Sequence, residues 1–100
     1  VELDNTLSDA MYMCGLVYVD KANELTEQMN NLGLREVKKY DKLKADQKQV
    51  FEESLTYFEK ALEMNPSDAD TMRALMEVYR KTGDYEKSME MKNKLEEMGE

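Results

Sequence analysis

Proline and glycine are scarce in this chain, and their scarcity limits the folds that are open to it. One hundred residues contain a single proline, Pro66, and four glycines. Sheet proteins need a turn every few residues, whereas helices need breaks only at their ends. The residues between the breaks are dominated by Leu, Met, Glu, Lys and Ala, which are good helix formers. The sequence therefore predicts an all-α fold with long helices.

Apolar residues recur at intervals of three and four, which is the spacing of one helix face. In the first segment they are Leu7, Met11, Cys14, Tyr18, Ala22, Leu25 and Met29. The spacing continues along the chain and predicts four helices, over 4–30, 34–64, 68–81 and 85–98. It thins at Asp46–Lys48, where we expect a bend or an exposed stretch. A chain of this length has room for one domain with a modest core.

The predicted helix ends carry residues that suit those positions. Gly33 fits the left-handed position after the first helix, and the residue before Pro66 leaves the helical conformation. Ser67 is expected to cap the third helix, with Asp70 completing a capping box three residues later. The connection at 82–84, Thr-Gly-Asp, stops the third helix and starts the fourth.

Several of these positions resemble the signature of the tetratricopeptide repeat, a helical hairpin of about 34 residues. The matching residues are Met72, Leu75, Met76, Tyr79 and Ser88 in one unit, Ser54, Phe58, Ala61 and Pro66 in the unit before it, and Met11, Cys14, Gly15 and Tyr18 at that unit's start. The resemblance implies two stacked hairpins, 4–66 and 67–98, in a short solenoid. It also implies a fragment of a longer repeat protein, because three or more repeats are usually needed for stability.

The first unit is longer than the signature. Equivalent starts at Ser8 and Ala69 lie 61 residues apart, which is about 27 more than one repeat. Each helix of the first hairpin should therefore be longer by about 13 residues, or roughly 20 Å, and should project beyond the stack. This part is similar to the C-terminal portion of certain bacterial tetratricopeptide proteins, often exported ones. That similarity implies export or envelope association, while the residues alone leave a cytoplasmic location open.

The resemblance also implies where a partner binds, since the family holds an extended peptide or a helix on the concave face formed by the first helix of each unit. Carried over by position, that face consists of Asp9, Tyr12, Leu16, Val19, Asp70, Arg73, Glu77 and Arg80. Its mixed charge differs from the basic clamp with which some family members bind a C-terminal carboxylate. The resemblance therefore implies a protein or peptide partner of other chemistry.

The turn between the first two helices offers a second candidate contact. Leu32 and Leu34 flank it, and they either cover each other or form an apolar contact for a partner or for a second copy of the chain. The following run, 35–44, is rich in lysine and either contacts an RNA or a lipid headgroup or pairs across the hairpin. We favour pairing, because the opposite helix carries Asp20, Glu24 and Glu27.

Composition argues against most catalytic chemistry. The chain has no histidine, which removes the commonest general base and the commonest zinc ligand. Cys14 lies on the predicted apolar face, so we expect a buried structural thiol. Asp68 and Asp70 resemble the start of a calcium loop, but Met72 and Arg73 do not continue it. No catalytic, metal or cofactor residue is predicted, and we do not expect an enzyme.

Charge and hydropathy argue against two further partners. The net charge of −8 disfavours nucleic acid and anionic membranes, because both require a basic face. No apolar run reaches the ~18–20 residues that a transmembrane helix requires.

Overall fold

The computed structural model describes residues 5–99 as four helices in two antiparallel hairpins. The helices are α1 (Asn5–Asn30), α2 (Val37–Met64), α3 (Ala69–Lys81) and α4 (Tyr85–Glu97). α1 packs along α2, α3 packs along α4, and α2 joins the hairpins by packing against α3. The described residues contain no strand. The predicted all-α fold of stacked hairpins is confirmed.

The first hairpin is much longer than the second. α1 and α2 contain 26 and 28 residues, whereas α3 and α4 contain 13 each. The first two helices are therefore longer by 13 and 15 residues, close to the predicted extension. At Asp46–Lys48, where a bend or an exposed stretch was expected, α2 continues as a helix with Asp46 and Gln47 half buried and Lys48 exposed. The molecule measures 57 × 25 × 16 Å because the long hairpin extends past the short one.

The core lies where the two hairpins meet. Phe58 and Ala61 are completely buried on α2, and Leu75 and Tyr79 are buried on α3. Phe58 also lies against Gly15 of α1, so closely that a β-carbon on Gly15 would come within 2.5 Å of the ring. Glycine at this position therefore permits α1 and α2 to approach each other. Tyr18 packs at the edge of the same core.

Hydroxyl groups inside the core are all hydrogen-bonded. The Ser8 hydroxyl on α1 donates to the carbonyl of Ala61 on α2 at 3.2 Å. The Ser88 hydroxyl on α4 donates to the carbonyl of Met76 on α3 at 2.9 Å. Because a buried hydroxyl without a partner destabilises the fold, these bonds allow small polar residues at close helix contacts.

The buried seam of α1 differs from the predicted face. The positions buried in α1 are Ser8, Gly15, Ala22 and Met29, spaced by seven. Three of them are small, and small residues let two helices pack closely. The predicted face included Ala22 and Met29, but it placed Leu7 and Cys14, each one position earlier, where Ser8 and Gly15 are buried. Cys14 is consequently exposed, and the expectation of a buried thiol was wrong.

α3 begins one residue later than the sequence indicated. The amide of Asp68 donates to the carbonyl of Asn65 at 3.1 Å, which closes a turn that includes Ser67. Asp68, not Ser67, is therefore the N-cap, and its carboxylate accepts from the Asp70 amide at 3.1 Å. The α3–α4 connection is as predicted, with Gly83 at φ +88° and the Asp84 side chain capping α4.

The α1–α2 turn also differs from the prediction. α2 begins at Val37, because Gly33 and Glu36 form a turn of their own before it. The Glu36 amide donates to the Gly33 carbonyl at 3.1 Å, and the Gly33 amide donates to the Glu36 carboxylate at 2.9 Å. Gly33 is not left-handed, since the positive φ angles among the described residues belong to Gly83 and Gly99.

Candidate peptide-binding groove

α1 and α3 leave an open groove between them. Its apolar residues come from both helices and from α2 beneath, and its polar residues come from α3. The lining consists of Tyr12, Leu16, Val19, Phe58, Asp70, Arg73, Ala74, Glu77 and Val78. The groove continues past Val19 and Val78 along Phe51, Arg80 and Lys81. We call this whole depression the α1–α3 groove.

Seven of the eight residues predicted for a partner-binding face line this groove. The exception is Asp9, which is exposed on α1 but is not among the lining residues. The prediction omitted Ala74 and Val78, which lie four and eight residues after Asp70 on α3. That helical spacing was available in the sequence. Val78 belongs to both the core and the groove, since it is buried and also lines the groove.

Ion pairs along α3 form the polar edge of the groove. Arg73 lies 2.6 Å from the carboxylate of Asp70, and Arg80 lies 2.6 Å from that of Glu77. All four side chains are about half exposed or more. Exposed pairs of this kind contribute only ~0.2–1 kcal/mol each, so a ligand can replace them at little cost. The edge alternates in sign and favours neither a strongly acidic nor a strongly basic ligand.

Tyr12 joins the apolar floor to the polar edge. Its ring centroid lies 5.7 Å from that of Phe58, with the rings tilted by 51°. Partial burial raises the pKa of Tyr12 above its usual value of 10, and the negative charges of Asp70 and Asp68 raise it further. The phenol therefore stays protonated at neutral pH and can donate a hydrogen bond to a ligand.

The two leucines at the α1–α2 turn do not cover each other. Leu34 is 102% exposed, so its side chain is fully accessible to solvent. Leu32 is half buried and lines a shallow notch with Leu43 and the stems of Lys39 and Lys42. We call residues 26–47 the arm, because a hydrogen bond from the Gln47 amide to the Thr26 hydroxyl joins the two helices at its base.

The lysines of the arm do not form the ion pairs that the sequence indicated. Lys39 lies 3.3 Å from Glu36, and Lys42 lies 3.5 Å from Asp46, so both pairs are local. Within the described part of the chain, no ion pair joins these lysines to the acidic residues of α1. The predicted pairing across the hairpin was therefore wrong. Local partners three or four residues away are closer than those on the facing helix.

Both ends of the helical stack keep apolar residues in contact with solvent. On the outer side of α1, Leu7, Met13 and Val17 are each more than half exposed. At the opposite end, an open groove between α3 and α4 is lined by apolar residues that include Met76 and Met89. Each hairpin thus has more apolar surface than its one neighbour covers.

No helix among the described residues is both long and apolar enough to cross a membrane. Within the same residues, no group of three or more His, Cys, Asp or Glu side chains lies close enough to hold a metal ion. The chain matches no protein-family model, no curated protein and no solved structure.

Proposed function

We propose that this chain is a non-catalytic protein-interaction module of the tetratricopeptide type, and that the α1–α3 groove binds a peptide or a short helix of its partner. The observation that carries the proposal is an apolar floor left open to solvent beside a row of charges that alternate in sign. Tyr12, Leu16 and Val19 supply the floor from α1, opposite Ala74 on α3. Apolar side chains of a partner would displace water there, which is the main source of affinity.

The edge of the groove sets the chemistry of the partner. The net charge of the edge is zero, since Asp70 and Glu77 balance Arg73 and Arg80. The partner therefore needs apolar anchors that are flanked either by acidic and basic residues together or by neutral polar residues. A groove on two hairpins is short and buries little of a ligand. Affinity should therefore be modest and should depend on a few apolar anchors.

Two valines of α1 provide a matched test. Val19 lines the groove, whereas Val17 is 65% exposed on another side of the helix. Peptides that bind the immobilised protein would be selected by display. Their affinities for the unaltered chain, for Val19→Glu and for Val17→Glu would then be measured by fluorescence polarisation. We expect Val19→Glu to weaken binding by about tenfold or more, the range of a hot-spot residue. Val17→Glu should bind as the unaltered chain does.

Circular dichroism of both variants tests whether a loss of binding is caused by loss of the fold. Loss of helix in Val19→Glu would require a milder change in the groove, such as Ala74→Gln, before binding is compared. Equal binding by the unaltered chain and by folded groove variants would refute the groove as the peptide site.

Exposure of Leu34 favours one second candidate, in which the arm mediates self-association. Sedimentation velocity over a range of concentrations tests it, with Leu32→Asp and Leu34→Asp as the disrupting changes. A chain that stays monomeric at high concentration would eliminate this candidate.

A further inference from the structure

The end of the arm presents apolar side chains directly to solvent. Leu34 is 102% exposed, Val37 is 60% exposed and Tyr40 is 41% exposed. Val37 and Tyr40 are three residues apart on α2, so they are neighbours on its surface, and Leu34 lies in the turn just before them. We call these three residues the tip surface. Clusters of solvent-exposed apolar residues commonly mark an interaction site.

Basic side chains are concentrated near the tip surface along the chain. They are Arg35, Lys38, Lys39, Lys42 and Lys44. Residues 31–44 carry these five basic side chains and two acidic ones, a net charge of +3, and the whole arm, which adds Glu27 and Asp46, carries +1. The whole chain carries −8 and the remainder therefore −9, so the average charge does not describe this end of the molecule.

These cations are available to a ligand. The side chains of Lys39 and Lys42 are 71% and 80% exposed, and their ion pairs with Glu36 and Asp46 are local. Such exposed pairs hold a lysine only weakly. In the described part of the chain, no ion pair joins these lysines to an acidic residue of α1.

The shape of the molecule separates the tip from the acidic remainder. The long axis is 57 Å. The inner part of the arm lines a depression with the α3–α4 connection, and the tip surface lies further along the arm, towards the α1–α2 turn. Charges interact over a Debye length of only ~8 Å at physiological ionic strength. A charged surface in contact with the tip would therefore interact mainly with the basic side chains near it, while dissolved ions screen most of the acidic charge elsewhere in the chain.

We propose that the tip surface docks on an anionic phospholipid bilayer. A protruding end cannot enclose a peptide, but a lipid interface accepts apolar groups without a matching pocket. Exposed apolar residues flanked by lysines bind such interfaces by inserting into the headgroup region while the cations attract acidic lipids. Tyr40 suits this position, since its ring is apolar and its hydroxyl is polar. Two tips meeting each other would instead bring like charges together.

Co-sedimentation with vesicles tests the proposal. The full chain would be mixed with vesicles of phosphatidylglycerol and phosphatidylcholine in equal parts, and separately with pure phosphatidylcholine vesicles. We expect binding to the anionic vesicles only, and we expect it to weaken as salt is raised, because screening shortens the reach of the basic end.

Two pairs of variants assign the binding to the tip. Leu34→Asp changes a fully exposed tip residue, and Val17→Asp changes an apolar residue on α1 that is 65% exposed. Lys38→Glu with Lys44→Glu reverses two charges near the tip, and Lys60→Glu with Lys94→Glu makes the same change in net charge on α2 and α4 away from it. One basic residue near an anionic membrane strengthens binding about fivefold, so the double reversal at the tip should weaken it by more than tenfold.

The outcomes separate cleanly. Selective binding to anionic vesicles, lost in the tip variants and kept in both controls, supports docking through the tip surface. Absence of binding, or equal loss in tip and control variants that remain helical by circular dichroism, overturns it. Dimerisation that Leu34→Asp abolishes, with no vesicle binding, also overturns it and assigns the tip to self-association.

Discussion

Gly15 lies where α1 comes closest to α2, and its neighbour is the buried ring of Phe58. An alanine β-carbon there would lie 2.5–2.7 Å from three ring atoms, and the ring is completely buried, so it would have to shift within the core. We expect Gly15→Ala to lower the free energy of unfolding. Overpacking costs ~1–3 kcal/mol, which equals or exceeds the ~1 kcal/mol that alanine gains as a better helix former. Urea unfolding followed by circular dichroism measures the change.

Gly33 supplies the matched control for that substitution. Its backbone is not left-handed, and an added β-carbon would meet nothing closer than the Glu36 carboxylate at 4.0 Å. Gly33→Ala should therefore leave stability unchanged or raise it by up to ~1 kcal/mol. Equal effects of the two substitutions would mean that α1 and α2 do not approach each other at Gly15.

Single residues show where prediction from the sequence succeeded and where it did not. Phe58, Ala61 and Tyr79 match the repeat signature and are buried, because that signature places apolar residues where helical hairpins stack. On α1, Ala22 and Met29 were predicted on the apolar face and are buried, whereas Ser8 and Gly15 are buried in place of Leu7 and Cys14. A serine and a glycine carry no hydrophobic signal. Their spacing of seven, shared with Ala22 and Met29, was the available clue.

At the level of elements, the turn before α2 depends on one carboxylate. The Glu36 carboxylate accepts from the Gly33 amide at 2.9 Å and from Lys39 at 3.3 Å. The hydrogen bond from the Gly33 amide, followed by the hydrogen bond and charge of Lys39, lowers the pKa of Glu36 below its usual value of 4.5. Because the folded pKa is lowered, the contact is complete above pH 4.5 and is lost as the pH falls through the folded value.

This linkage predicts the acid titration of the turn. The amide proton resonance of Gly33, followed by nuclear magnetic resonance, should shift with a midpoint below pH 4.5. In Glu36→Gln that shift should disappear, while the dispersion of core amides is retained, since the carboxylate is at the surface. A Gly33 midpoint at or above 4.5 would contradict the hydrogen bond.

Helix lengths were predictable, but helix starts were less so. The period between the two units exceeded that of one repeat by a definite number of residues, and this excess had to lengthen the helices because the extra sequence keeps a helical pattern. The starts of α2 and α3 each shifted because Glu36 and Asp68 form turns of their own with the residue three positions earlier. Such local hydrogen bonds compete with helix formation and are weakly signalled by residue type.

For the whole molecule, charge and shape act together. The net charge of −8 describes the average, whereas the arm carries the opposite sign. The candidate groove lies between α1 and α3, and its far end at Phe51 and Lys81 adjoins the inner part of the arm. The α1–α3 groove and the tip surface share no residue, so a peptide in the groove and a bilayer at the tip would not compete for the same side chains.

The long first hairpin makes the molecule elongated, and small-angle X-ray scattering measures that elongation directly. A compact chain of 100 residues has a radius of gyration of roughly 13 Å, whereas this molecule has 15.4 Å with a long axis of 57 Å. Deleting residues 23–29 and 44–50 removes one heptad from each facing helix and keeps their buried faces in register. That variant should stay helical and become shorter by about 10 Å, since each residue contributes 1.5 Å. A value near 13 Å for the unaltered chain, or an unchanged length in the variant, would mean that the arm folds back on the body.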